Sequence, residues 1–122
     1  MDENYNKKHL VYNQKMKIFF YDVAVPLPIR HCFTYKSDQL IRKGSRIVIP
    51  FGSRKLIGII VKQIVRDEDI KKDKSIKYID SVIDQFTLFE NSIFDTIIWA
   101  SEYYHHPIGE VFQSFIPTSL RQ

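Results

Sequence analysis

The stretch SRIVIPFGSRKLIGIIVKQIV, residues 45–65, decides the fold because it holds two strand patterns in close succession. In Ser45–Phe51, isoleucines alternate with Arg and Val, which is the two-residue period of a half-buried strand. Pro50-Phe51-Gly52 ends this strand, since proline and glycine interrupt regular structure. Ile57–Val65 is mostly apolar and β-branched, which predicts a central strand, and its Gly58 predicts a bulge or a close backbone approach.

Further strand patterns lie on both sides of this stretch. Lys17–Val25 is rich in Phe, Tyr and Val, and it is predicted to be a strand that stops at Pro26-Leu27-Pro28. Cys32–Lys36 and Ile76–Ile83 are predicted to be further strands. Eight of the nine residues in Arg66–Lys74 are charged, which predicts an exposed hairpin loop. The chain is therefore expected to form four or five strands.

The last third of the chain changes to the hydrophobic period of a helix. Phe89–Tyr104 is predicted to be the first helix, with Asn91 or Thr87 as its N-terminal cap. Pro107 is expected to open a second short helix, Ile108–Phe115, at its first turn. Short strands followed by helices indicate an α+β fold. We expect a small β-barrel-like (OB-like) domain of short strands with helices at the C-terminal end.

Length and composition allow one folded domain. The chain has 122 residues, enough for a modest core, and its polar residues 1–15 are expected to form a loose N-terminal extension ahead of a domain at 16–122. Its one cysteine, Cys32, cannot form an internal disulfide, which fits a reducing compartment. No apolar run approaches the roughly 20 residues that cross a bilayer. The opening also lacks the apolar core of a signal peptide, so we expect a cytoplasmic location and no membrane partner.

The net charge of +4 conceals an uneven distribution. Residues 1–77 hold 17 Lys or Arg against 8 Asp or Glu, whereas residues 78–122 hold Arg121 alone against six acidic residues. A basic segment attracts polyanions by phosphate neutralisation and counterion release, and an acidic segment is repelled by the same ligand. Lysine-rich segments are also common as plain solvated surface, so the charge pattern by itself leaves both interpretations open.

The sequence shows no catalytic motif. Gly52-Ser53-Arg54-Lys55 is the nearest approach to a phosphate-binding loop, and it lacks the required glycine spacing. The four histidines and Cys32 do not follow the spacing of a zinc site, so we expect neither metal nor cofactor. Cys32 and His31 are adjacent in sequence and rarely face each other in such a case, which argues against a nucleophile pair. These 122 residues are therefore expected to bind rather than to catalyse.

Basic residues interleaved with aromatic residues suit single-stranded nucleic acid, because cations follow the phosphates and rings stack on exposed bases. Any single ring is equally compatible with core packing. Phe33 is the strongest ring candidate because it lies beside a basic loop. The candidate cations are Arg30, Arg46, Arg54, Lys55, Lys62 and Lys77, and the candidate rings are Phe33, Tyr35 and Phe51.

Five segments also resemble, in order, the amino-terminal domain of the PriA family of primosomal replication-restart helicases. The segments are Val25-Pro26-Leu27-Pro28, Phe33-Thr34-Tyr35, Ile49-Pro50-Phe51-Gly52 with Ile57–Val61, Trp99–Val111 with its YYHHPIG run, and Leu120-Arg121-Gln122. The resemblance covers residues 16–122. The family's winged helix, ATPase motor and zinc region have no counterpart here, so the chain is expected to be a fragment or a gene remnant. ATP and zinc are expected only in those other family domains.

The resemblance implies recognition of a DNA 3′ end, such as the end of a nascent strand at a stalled fork, which orients replication restart. By position, Phe33 would stack near the terminal base, Gly52 would allow close approach of the backbone, and Lys77 would contact the nucleotide. Arg30, Arg54 and Lys55 are further candidate phosphate contacts.

The fourth position of the family pattern departs from expectation. Thr34 stands where one family pattern has an aspartate, after an apparent two-residue insertion in Ile29–Cys32. A hydroxyl accepts a hydrogen bond from a terminal 3′-OH more weakly than a carboxylate does. Asp38 or backbone groups are alternatives for this role.

The alternative function is a protein-interaction domain within the primosome, with only general binding of single-stranded DNA. In that case the acidic helical end would dock onto primosome proteins or the remaining helicase domains, through Glu102 or Glu110.

Overall fold

The computed structural model describes residues 17–65, 67–84 and 89–116, and it shows an α+β architecture. The strands are β1 Phe19–Ala24, β2 Phe33–Ser37, β3 Arg46–Phe51, β4 Arg54–Ile64 and β5 Ser81–Val82. They form one antiparallel sheet in the order β2-β1-β4-β3-β5. The helices are α1 Glu68–Lys72, α2 Asn91–Tyr104 and α3 Ile108–Phe115. The expected class, with helices at the C-terminal end, is confirmed.

Strand β4 lies at the centre of the sheet, as its sequence predicts. It pairs with β1 on one side and with β3 on the other. The β3–β4 connection is a two-residue loop between Phe51 and Arg54, and Gly52 has a φ of 62° there, which suits glycine at the first position of a tight hairpin turn. A Cβ on Gly58 would lie 2.6 Å from Cγ1 of Val23, so this glycine does allow a close approach.

The sheet is open, and one segment of chain crosses between its two edges. At β2, the Lys36 N–H donates to the Lys77 carbonyl (3.0 Å), and the Ile79 N–H donates to the Lys36 carbonyl (2.8 Å). At β3, the Asp80 N–H donates to the Val48 carbonyl (2.8 Å). This crossing gives the domain its barrel-like form without a continuous ladder of strands.

The crossing also corrects the prediction of a strand over Ile76–Ile83. Only Ser81–Val82 is a strand, with a single parallel bridge between Lys36 and Tyr78 before it. The backbone groups of this segment bond to two different strands in turn, so no regular ladder forms along it.

The predicted exposed loop at Arg66–Lys74 is wrong in part, because α1 lies within it; Arg66 itself is outside the described residues. The Asp67 carboxylate accepts hydrogen bonds from the N–H groups of Asp69 and Ile70, both at 3.1 Å, and so caps the helix. Acidic residues occupy the first turn and lysines the last, which matches the helix dipole. The charges therefore stabilise a short helix here.

The predicted start of α2 also needs correction. Its N-cap is Glu90, which makes no side-chain capping bond, and Asn91 is already helical. Thr87, the other predicted cap, and the expected extension at residues 1–15 lie outside the described residues. The bounds of α3 are those predicted, with Pro107 at the N-cap rather than within the first turn.

Two apolar clusters fill the domain. One lies inside the curved sheet and includes Tyr21, Ile47 and Ile60; the other lies between the sheet and the helices and includes Ile97 and Phe112. All five of these side chains are fully buried. Each strand thus contributes to the core on the face that its alternation predicts.

A partly buried ion pair joins the chain after β5 to β3. The Asp84 carboxylate accepts hydrogen bonds from the backbone N–H of Arg46 (3.0 Å) and from Nε (2.9 Å) and Nη2 (3.1 Å) of its guanidinium. This hydrogen bonding raises the pKa of Arg46 above its ordinary value, against the effect of burial. The Arg46 side chain is 12% exposed, so this candidate DNA contact is engaged within the fold.

We expect Gly109→Ala to destabilise the domain by about 2 kcal/mol. Alanine normally favours a helix over glycine by about 1 kcal/mol, but a Cβ on Gly109 would overlap the carbonyl group of Val25. Urea unfolding followed by circular dichroism measures the change. Ser114→Ala, at an exposed position of the same helix, is the control and should stay within about 0.5 kcal/mol of the parent. A stabilised Gly109→Ala variant would contradict the packing.

Candidate nucleic-acid interface

A groove of about 290 Å³ opens between the end of β2 and the β3–β4 hairpin. It is close to the lower limit of roughly 300 Å³ for ligand sites in proteins. Three short segments form its walls, and no two of them are adjacent in sequence. The lining residues are Phe33, Thr34 and Tyr35; Pro50, Phe51 and Gly52; and Ser75, Ile76 and Lys77.

Aromatic contacts shape one wall of this groove. The rings of Phe33 and Phe51 meet edge to face with centroids 5.2 Å apart, and His31 lies 4.8 Å from Phe33 on the other side. The Tyr35 hydroxyl donates a hydrogen bond to the Pro50 carbonyl (2.7 Å), which ties β2 to β3. Phe33 is only partly buried, so part of its ring surface remains available to a ligand.

The hairpin loop and the crossing segment provide the other walls. Gly52 is exposed, and a Cβ there would meet no protein atom within 4 Å. Its glycine character is therefore required by its positive φ within the protein, and the space beside it is open to a ligand. Lys77 is exposed, while its backbone carbonyl is held by Lys36 on β2.

The other candidate cations are placed differently. Arg54 and Lys55 begin β4 just after the hairpin loop, and Lys55 forms an ion pair with Asp80. Arg30 lines a separate hollow beside α2 that shares no residue with the groove. Lys62 lines that same hollow and lies 3.8 Å from Asp22.

A family model of the PriA 3′ DNA-binding domain matches residues 22–117 of the chain. The chain belongs to this family. The matched range includes all nine residues of the groove, so the family assignment and the groove concern the same part of the protein. The predicted resemblance is thus confirmed, and the match is to a DNA-binding domain, in agreement with the expectation of binding without catalytic machinery.

Full-length members give the same relationship. The chain is 33% identical over 102 residues to the replication restart protein PriA of Buchnera aphidicola subsp. Schizaphis graminum, a match that covers 82% of the chain. It is 35% identical over 100 residues to the PriA of Buchnera aphidicola subsp. Acyrthosiphon pisum and 32% over 106 residues to that of Haemophilus influenzae, covering 80% and 87% of the chain. In each case the match covers 14% of the relative.

All four residues that the family pattern singles out line the one groove. Phe33, Thr34, Gly52 and Lys77 come from β2, the hairpin loop and the crossing segment. Asp38, the suggested substitute for the family's aspartate, is not among the lining residues. The fold therefore makes Thr34, rather than Asp38, the side chain that faces this site.

Sequence reasoning missed Ser75 and Ile76, which were taken for a loop end and the first residue of a strand. The Ser75 hydroxyl donates to Oδ1 of Asp73 (2.6 Å), and the Ser75 N–H donates to the same atom (2.9 Å). An Asp-x-Ser turn of this kind is a local signal for a bend. It does not indicate that the bend lies beside Phe33.

Two further observations bear on the chemistry of the described ranges. They contain no group of three or more His, Cys, Asp or Glu residues placed to hold a metal ion. Within the same ranges, no helix combines the length and apolar character of a membrane span.

We expect Cys32 to react slowly with iodoacetamide in the folded protein. Burial, with a smaller contribution from Asp22 and against the effect of Lys62, raises the pKa of the Cys32 thiol to about 11. The thiol therefore stays protonated at neutral pH, and the alkylation rate should rise until the pH approaches about 11. The urea-unfolded chain is the control and should level off above the ordinary thiol value of about 8.5. A native rate that levels off near pH 9 would contradict this environment.

Proposed function

We propose that this domain recognises the 3′ end of a DNA strand and that the groove holds the terminal nucleotide. The observation that carries the proposal is the convergence of Phe33, Thr34, Gly52 and Lys77, from three separate segments, on one groove in a member of a DNA-binding family. A blind groove suits an end better than a continuous strand, because a terminal nucleotide needs space for only one phosphate linkage.

Each residue has a physical role in this proposal. The partly exposed ring of Phe33, braced by Phe51, offers a face on which any terminal base can stack. The open space beside Gly52 lets the sugar approach the hairpin backbone. The Lys77 ammonium neutralises the phosphate, and Arg54 and Lys55 are the next cations along the hairpin.

Thr34 is proposed to meet the terminal 3′-OH. Its hydroxyl accepts a hydrogen bond, but a charged acceptor makes such a bond about twice as strong. This chain is therefore expected to distinguish a free end less sharply than a groove with an aspartate at the same position.

We expect a single-stranded oligonucleotide with a free 3′-OH to bind about fivefold more tightly than the same oligonucleotide with a 3′-phosphate. The phosphate removes the hydroxyl donor and adds bulk where the groove is closed. Fluorescence anisotropy with a 5′-labelled strand at fixed salt measures both affinities. Thr34→Asp should widen the difference between the two ends.

Lys77→Ala should weaken binding of both strands, whereas Lys43→Ala, which removes an equal charge outside the groove, should have little effect. Equal affinity for free and blocked ends in both the parent and Thr34→Asp would refute recognition of the end. General DNA binding would then remain.

In its biological setting, the proposed role is to orient replication restart at stalled forks, in the cytoplasm. The relatives that support it are named replication restart proteins, and the chain spans about one-seventh of their length. ATP and zinc are proposed to act only in other domains of the family, with no cofactor in this one.

A second candidate function is docking of the helical end onto primosome proteins or other helicase domains. Trp99, Tyr103 and Tyr104 on α2 are all more than half exposed. Trp99 stacks on Tyr103 with centroids 4.9 Å apart, and the exposed Glu102 lies on the same helix. Exposed aromatic groups of this kind are typical of the centre of protein interfaces.

Docking at this surface predicts that Trp99→Ala weakens the association of the labelled chain with the remaining part of Haemophilus influenzae PriA, supplied as a separate protein. We expect about a tenfold loss, because exposed aromatic anchors contribute most of the energy of an interface. Lys77→Ala should leave this association unchanged and weaken only DNA binding. If Trp99→Ala has no effect on the association, the docking function is wrong.

A further inference from the structure

A second hollow adjoins the groove along β2. Residues 33–35 line the groove, and the next residue, Lys36, lines a hollow of about 460 Å³ on the outer side of the sheet. Lys17, Ile18, Phe20, Lys36 and Lys71 form its walls. Three of these five residues are lysines, from the start of β1, from β2 and from α1, so the fold gathers cations that are far apart in sequence.

The crossing segment connects the two sites. Lys77 lines the groove, and the next residue, Tyr78, is 52% exposed. The Lys36 ammonium lies 4.7 Å from the centroid of the Tyr78 ring. Backbone hydrogen bonds from Lys36 to Lys77 and from Ile79 to Lys36 hold this ring beside β2. An aromatic platform therefore lies between the groove and the hollow, on the same side as its cations.

Two acidic groups accompany these lysines. Glu68 approaches Lys71 at 3.7 Å, and both side chains are largely exposed. The pKa of Asp73 is lowered chiefly by its hydrogen bonds with Ser75 and to a lesser extent by Lys36. Exposed pairs of this kind contribute little to stability, so a phosphate can replace either carboxylate as the partner of a lysine.

The opposite side of the groove offers fewer available cations. On the hairpin, Lys55 is paired with Asp80, and Arg54 is the other basic side chain at the start of β4. The hollow combines three lysines with an exposed ring, which is the arrangement that follows a single strand in other nucleic-acid channels.

We propose that a DNA strand whose 3′ end occupies the groove continues upstream along β2 into this hollow. An upstream base stacks on Tyr78, and Lys17, Lys36 and Lys71 contact the phosphates that follow. The inference rests on the proposed function, since it takes the groove as the site of the terminal nucleotide. It adds the direction of the strand and a second subsite for its phosphates.

The test compares a dinucleotide and a 12-nucleotide strand, both with free 3′-OH groups, on the double variant Lys36→Ala/Lys71→Ala. For the longer strand, the slope of log K against log salt should be about 1.4 smaller in magnitude, from about 0.7 for each lost contact to single-stranded DNA. The dinucleotide should bind as it does to the parent. Arg42→Ala/Lys43→Ala removes two charges from an exposed turn outside both sites and should leave the slope unchanged.

Tyr78→Ala should weaken the longer strand by about tenfold and spare the dinucleotide, whereas Tyr78→Trp should retain affinity. Circular dichroism spectra like those of the parent establish that the variants are folded. An unchanged salt slope for Lys36→Ala/Lys71→Ala, or an equal loss for both lengths, would overturn the upstream path. A failure of the proposed function is seen separately, as equal binding of free and 3′-blocked ends by the parent.

Discussion

The pairing of β4 with two different strands along its length is the constraint on which the rest of the structure depends. Residues 54–59 of β4 pair with β3, and residues 59–64 pair with β1, so that the two neighbours are staggered and overlap only near Ile59. Stagger of this kind makes a sheet curl toward a barrel. The register shift between Asp22 and Val23 in β1, and the close approach of Val23 to Gly58, add to the curvature.

The groove is a consequence of this curl. Because the sheet bends, the start of β2 comes to lie near the β3–β4 hairpin, although β1 and β4 separate the two strands in the sheet. The hydrogen bond from Tyr35 to the Pro50 carbonyl stabilises this approach, and the crossing segment then closes the third side with Ser75, Ile76 and Lys77. The proposed DNA site thus belongs to the tertiary fold rather than to any one motif.

The fold also divides the basic residues by role. Arg46 is engaged with Asp84 as part of the framework, and Lys55 and Lys62 each have an acidic neighbour on the surface. Lys77 lies in the groove. A count of charges along the sequence gives the sign of the surface potential, but it does not separate cations that stabilise the fold from cations that face a ligand.

The sequence by itself determined the α+β class, the central strand near residues 57–64, helix α3 and the family. Periodicity was sufficient for these because the burial of a strand or helix is a local property, repeated every two or every 3.6 residues. The YYHHPIG run and the PFG turn then pointed to the four residues of the family pattern.

Only the tertiary structure decided which of the candidate residues meet. It replaced the strand predicted at Ile76–Ile83 by a crossing segment and placed α1 within a predicted loop. It also moved Arg30 away from the groove and engaged Arg46 with Asp84. The physical reason is that backbone and charged groups find partners far away in sequence, as Asp80 does with Val48, and side-chain periodicity carries no record of those partners.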